Sequence, residues 1–276
     1  MTNSSIKALL KTTVRTGTMA FTPLLMRGNH ATRILTYHSV GTRDHEMNVT
    51  PEDFRAQMQW LSEHCAVITL RDAVDGEPGV AITFDDGYRD NVTEAVPILA
   101  EFAFPATVFI VPGRMGEFLE HDAPSEDARL MTWDEVRQLR AQGIEIGGHT
   151  LTHARLATLD KAGQSNEIGS CTDLICEHLG EIPAAFAYPY GSMLDYDEHS
   201  VEAVKAAGYQ FAVSNQYGPV DDAGPPWEVR RIWIDRSDTL ASFQQKASGA
   251  LDGLAIFDSA IGIRLRRIMN RLLGVS

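Results

Sequence analysis

Cysteine, positive charge and long apolar runs are all scarce in this chain. Its 276 residues hold three cysteines, Cys65, Cys171 and Cys176. An odd, sparse set excludes a disulfide-stapled scaffold, and the spacing lacks the paired pattern of a structural zinc site. Idle thiols in a reducing compartment are the simplest reading. Lys and Arg number 24 against 37 Asp and Glu, a formal net charge of −13. That balance argues against generic attraction to nucleic acid. No apolar run approaches the ~20 residues that a membrane-spanning helix needs. Internal repeats, low-complexity tracts and a linker long enough to separate domains are absent too.

The first thirty residues are less plain. Met19-Ala20-Phe21 and Leu24-Leu25-Met26 are too broken for a signal-peptide core, so the expected location is cytoplasmic. Lys7, Lys11 and Arg15 share one helical face, and a helical tail over about 254–273 carries Arg264, Arg266, Arg267 and Arg271. The N-terminal helix reads either as a cover for the bottom of the fold or as an interfacial helix. The second reading allows peripheral contact with the inner membrane face through the basic termini.

What is present is a regular alternation. Apolar runs at 33–37, 67–70, 80–84, 106–111, 144–147, 184–188, 209–214 and 231–235 read as strands. Helices fill the intervals. Thr50-Pro51 opens one carrying Phe54, Met58 and Leu61, and another covers about 92–102. Thr132-x-x-Glu135 is a capping box, Gly180 ends a helix over about 160–179, and a helix covers about 197–207. Ser237 or Asp238 is the expected cap of a late helix. Residues 112–131 read as a loop, either a lid or a surface insertion. Alternating strands and helices argue for parallel β/α units, and seven or eight of them can close into a barrel. An open doubly wound sheet is the structural alternative.

Polar residues collect where these strands end. His38 follows the first strand, Asp85-Asp86 the strand at 80–84, His149 and His153 the strand at 144–147, and Tyr190 the strand at 184–188. In a closed barrel all lie on the carboxyl-end face, where barrel active sites sit. Two adjacent carboxylates repel unless a cation or a shared proton compensates them. His149 and His153, four apart, face the same way if they span one helical turn. Two imidazoles and one carboxylate make a three-ligand site with open positions, suited to Zn²⁺ or another divalent ion. His30, His45, His64, His121, His178 and His199 read as ordinary polar residues.

Thr83–Tyr88 (TFDDGY), His149-x-x-x-His153 and Phe186–Gly191 (FAYPYG), in that order, resemble the polysaccharide deacetylase family, also called the NodB-homology or carbohydrate esterase 4 domain. Tyr37-His38-Ser39-Val40 is similar to the first strand of its bacterial exopolysaccharide branch. The likeness spans about residues 33–235. It implies a single deformed (β/α)7-type barrel over 31–240, with helical extensions at 1–30 and 241–276. It further implies a hydrolase that removes N-acetyl groups from an amino-sugar poly- or oligosaccharide, using a divalent metal ion, Zn²⁺ foremost. Asp86, His149 and His153 would bind the metal. Asp85 would be the general base toward a metal-bound water. The backbone N–H of Tyr190 would face the oxyanion, and its ring could line the sugar pocket.

Two departures from the family pattern shape the expected mechanism. The family often places an arginine two residues before the motif proline, where this chain has Ala187; Arg231 is the candidate substitute. The family's late Leu-x-His has no counterpart, since no histidine follows His199. His38 is the candidate general acid, because the first strand neighbours the last in a closed barrel. Otherwise Asp85 or solvent returns the proton. Two other readings stay open: a deformylase or deacetylase of a lipid-linked sugar at the membrane face, and a catalytically weak carbohydrate-binding homologue.

Overall fold

The computed structural model describes residues 31–258 except 121, 123, 124, 222 and 223. The expected helices over 1–30 and in the tail beyond 258 lie outside the described residues. Among the described residues, no helix is long and apolar enough to cross a membrane.

Seven parallel strands close into a barrel. In chain order they are β1 (Arg33–Tyr37), β4 (Val80–Phe84), β5 (Thr107–Ile110), β6 (Glu145–Gly148), β7 (Ala185–Ala187), β8 (Phe211–Tyr217) and β9 (Val229–Trp233). The ring closes where Leu35 pairs with Ile232 and Thr36 with Trp233. A short parallel pair, β2 (Ser39–Val40) and β3 (Asn48–Val49), stands outside it. The barrel expectation therefore holds, and the open sheet does not.

Strand alternation sorts the side chains into two apolar layers. Ile34, Ala81, Phe109, Ala185, Ala187, Phe211, Val213 and Val229 form the inner cluster. Leu35, Ile82, Phe84, Val108, Ile110, Ile146 and Ile232 belong to the outer one. There they meet α1 (Pro51–His64) through Phe54, Met58 and Leu61. Because both faces are covered, the strands read as apolar runs rather than as alternating polar and apolar residues.

Several elements differ from the sequence expectation for local reasons. Residues 67–70 make only an isolated bridge, Val67 to Val80. Thr69 instead caps the short helix α2 (Leu70–Val74), its hydroxyl accepting from the Asp72 amide. The helix expected over 92–102 begins with a π-helical turn, Asn91–Ala95, before α3 (Val96–Glu101). The capping box is present on α4 (Trp133–Ala141), and α5 (Lys161–Leu179) ends at left-handed Gly180. Asp197 caps α6 (Glu198–Ala206). Neither Ser237 nor Asp238 caps the late helix. Thr239 does so for α7 (Leu240–Ala247), while Asp238 accepts from the Asp235 amide and from Lys246. In the described part of the 112–131 segment, Leu119 and Leu130 are buried against Tyr88 and Val111.

Candidate active site

Asp85 is two residues beyond Thr83, so alternation points both into the barrel. Asp86 breaks the pattern. Its φ is 72°, and Gly87 follows at 75°. The chain thus turns sharply after Asp85, and the two adjacent carboxylates part company. Gly87 is required there: a Cβ would meet Ile110 Cγ2 at 3.1 Å in addition to the left-handed strain.

Arg231, also inward-facing, sits in the middle of β9 rather than at its start. Its Nη1 donates to Asp85 Oδ1 at 2.7 Å and to Thr83 Oγ1 at 3.2 Å. Its Nη2 donates to Asp85 Oδ2 at 2.6 Å and to Asn215 Oδ1 at 2.8 Å, and Nε donates to the Ser214 carbonyl at 2.9 Å. All five guanidinium N–H groups are therefore used. The two partners are 0% and 1% exposed as side chains. Burial alone would raise the Asp85 pKa; Arg231 and the nearby imidazoles outweigh it and hold the carboxyl below its ordinary value.

Asp86, His149 and His153 offer one ligand atom each within 4.8 Å of one another. Asp86 Oδ1 is 3.5 Å from His149 Nε2 and 3.2 Å from His153 Nε2. A tetrahedral ion with bonds of ~2.1 Å spaces its ligand atoms roughly 3.4 Å apart. Both Asp86 oxygens are buried and accept no hydrogen bond among the described residues. His149 Nδ1 lies 2.7 Å from the Ala187 carbonyl. An N–H there leaves Nε2 with its lone pair toward Asp86, the tautomer a metal requires. The donor set fits one divalent ion. Burial raises the Asp86 pKa and the surrounding histidines more than reverse it, whereas burial lowers His149 to about 4.

The two histidines do not share a helical turn, as the spacing had predicted. Thr150 and His153 have φ of 60° and 66°, so a left-handed loop brings the rings together at 5.1 Å. Glu167 on α5 holds that loop, accepting from the Thr152 amide and hydroxyl at 2.9 Å each. With Asp86 and Tyr190 (62°), four of the five non-glycine residues with positive φ among the described residues stand at this site. Each left-handed residue costs about 1 kcal/mol or more.

His38 is buried and follows β1, with its Nδ1 lacking a partner among the described residues. Burial lowers its pKa, while Asp86 and Asp85 pull the other way, so the ring lies within electrostatic reach of both acids. The ring of Trp233 lies 5.5 Å from it. Tyr190 is 44% exposed, its ring 5.0 Å from that of His153 and under the Arg155 guanidinium at 4.2 Å. Gly191 follows because a Cβ there would meet the Asn215 amide at 2.5 Å. Asn215 joins the Tyr190 carbonyl to Arg231. Sequence reasoning missed Asn215, Glu167 and Trp233. They lie far along the chain from the residues they serve, and no spacing marks them.

Asn91 donates to the His38 carbonyl at 2.8 Å, and its neighbour Asp90 contacts Ser39. Burial raises the half-buried Asp90 carboxyl to about 6. Ser39 has one hydrogen and two acceptors, Asp90 Oδ2 and Asn48 Oδ1. A protonated Asp90 resolves the conflict by donating to Ser39, which then donates to Asn48. The folded pKa lies above the ordinary value of ~3.9. Stability from this group is therefore complete below pH ~4 and is lost as pH rises through about 6. Asp90→Asn, whose amide donates permanently, is expected to gain about 1 kcal/mol over wild type at pH 7.5 and nothing at pH 4.5. Paired thermal melts at the two pH values check this, and a pH-independent difference contradicts it.

A closed parallel barrel with a buried Asp-His-His cluster at its strand ends defines a β/α-barrel protein with a group of side chains that could hold one divalent ion. The chain belongs to the polysaccharide deacetylase family, whose model matches residues 72–212. That family comprises hydrolases acting on amide bonds. The chain is 28% identical over 219 residues to YxkH of Bacillus subtilis (strain 168), covering 76% of this chain and 74% of that protein. It is 25% identical over 209 residues to the poly-beta-1,6-N-acetyl-D-glucosamine N-deacetylase of Staphylococcus epidermidis (strain RP62A), covering 70% and 71%. In fold it resembles IcaB from Ammonifex degensii, with a TM-score of 0.68 at 22% identity, over 80% of this chain and 97% of that one.

Proposed function

We propose that this protein hydrolyses the N-acetyl group of an N-acetylated amino-sugar polymer or oligomer. The observation that carries the reading is the Asp86–His149–His153 cluster beside an Asp85 clamped by Arg231. Similarity to a poly-N-acetylglucosamine deacetylase supports the substrate class. A divalent ion held by Asp86, His149 and His153, with Zn²⁺ the best match to the donors, would lower the pKa of a bound water and polarise the amide carbonyl.

The chain's own groups divide the remaining work. Asp85 is the base. Arg231 fixes both its oxygens, keeps it ionised and leaves the other lone pairs free to take a proton. The Tyr190 amide, on a left-handed turn, donates to the developing oxyanion. His38 delivers the proton that the departing amine needs, from the strand beside β9. Burial favours its neutral ring, so His38 releases a proton readily once it carries one. Trp233 and Tyr190 offer faces on which a sugar ring can lie.

Acetate release from β-1,6-linked N-acetylglucosamine oligomers tests the reading. Turnover should vanish with a chelator and return with Zn²⁺; no release on any N-acetylated sugar, in protein loaded with metal, contradicts it. His38→Gln should lower kcat by about 10²-fold while metal content stays unchanged. Wild-type kcat in that variant returns the acid role to Asp85 or solvent.

A further inference from the structure

One groove lies outside the metal cluster. It has a volume of about 440 Å³ and runs between α6 and the segment preceding β9. Trp227 and Tyr196 supply its aromatic wall, and Met193 lines it as well. Met193 belongs to the same turn as Tyr190, three residues on, a span of at most ~10 Å. The groove thus shares a lining residue with the turn that carries Tyr190.

Its charge is one-sided. Asp197, Glu198, Glu202 and Glu228 line it against a single cation, Lys205. Glu228 accepts from the Tyr196 hydroxyl at 3.0 Å. The Lys205 ammonium is informative. It sits 5.5 Å from the centre of the Trp227 ring and 2.8 Å from Glu202 Oε1. One primary ammonium thus already occupies an aromatic face with a carboxylate beside it, the arrangement by which proteins hold alkylammonium groups.

We propose that this groove binds the deacetylated part of the polymer, a glucosamine unit whose free amine is protonated. The ammonium takes the place of the Lys205 Nζ on Trp227 and Glu202, with Glu198 and Glu228 adding attraction. This rests on the deacetylase reading for its ligand, because removing acetyl is what creates the cation. N-acetylated units carry no charge and gain nothing from the acids. The groove therefore distinguishes processed from unprocessed chain and biases the enzyme toward polymer that already bears free amines.

The test is calorimetric binding of a fully deacetylated β-1,6-glucosamine pentamer to the full-length protein, and of the same pentamer after N-acetylation, with EDTA present to stop turnover. The deacetylated form should bind about tenfold or more tightly than the acetylated one, and raised salt should weaken it. Trp227→Ala should weaken binding about tenfold. Lys205→Ala, which frees the ring and Glu202, should strengthen it, a gain that a damaged fold would not give. Neither variant should change acetate release from a short acetylated substrate. Equal affinity for the two pentamers, or Trp227→Ala and Lys205→Ala binding like wild type, overturns the proposal. Absent acetate release with intact, amine-selective binding would instead fail the deacetylase reading and leave the groove standing.

Discussion

Asp86→Asn is expected to lose bound metal and turnover together, with kcat/KM down by at least about 10³-fold. Asparagine tolerates the left-handed backbone at this position, so the turn survives the change. What it lacks is the anionic oxygen lying between the two imidazoles. The expected signature is thermal as well as kinetic. Zn²⁺ should raise the melting temperature of wild type by mass action and leave the variant unmoved. Asp85→Asn offers the contrast. It should bind metal as wild type does and still be inactive, because only the base is gone. Metal content by elemental analysis separates the neighbours. If both variants keep their metal, the division of roles between Asp85 and Asp86 is wrong.

Arg231→Met should be the most damaging change to stability. It leaves the Asp85 carboxylate buried without its clamp, at a cost of about 3–5 kcal/mol. Turnover should fall by about 10²-fold, since an untethered, partly protonated base works poorly at neutral pH. Arg231→Lys should rescue little. One ammonium has three donors and no fork, whereas five guanidinium N–H groups are engaged here. A third variant isolates the pair: in an Asp85→Ala background, Arg231→Met should cost clearly less than in wild type. Chemical denaturation measures all three. Additive losses, or a lysine variant as stable as wild type, would show that the arginine acts only as packing.

Much of this was legible from residue order. Apolar runs marked the strands because both faces of a parallel barrel are buried, and polar residues at their ends marked one rim. Turn chemistry was harder. Thr69 and Thr239 cap helices where hydrophobicity had suggested a strand and a different cap, since one hydroxyl bond to an amide decides the matter locally. His149 and His153 do come together in space, but not through the helical turn that their spacing suggests. Spacing of four fits a helical turn, and nothing in the letters announces the two left-handed residues that bend the loop instead. Asn215 and Glu167 act through bonds to residues 15 or more positions away, a separation at which composition and periodicity carry no signal.

The seam between β1 and β9 has a consequence for how roles are distributed in such a chain. A ring has no first strand, and the place where the polypeptide happens to be cut is arbitrary with respect to the cavity. Arg231 comes 146 residues after Asp85, yet only β1 lies between their strands. The space above Asp85 can thus be served from either direction around the circle, and a task can pass from mid-chain to near either end without moving in space. What is held constant is an address on the rim; linear order is free to shuffle, and linear motifs recover only the tasks that have stayed put.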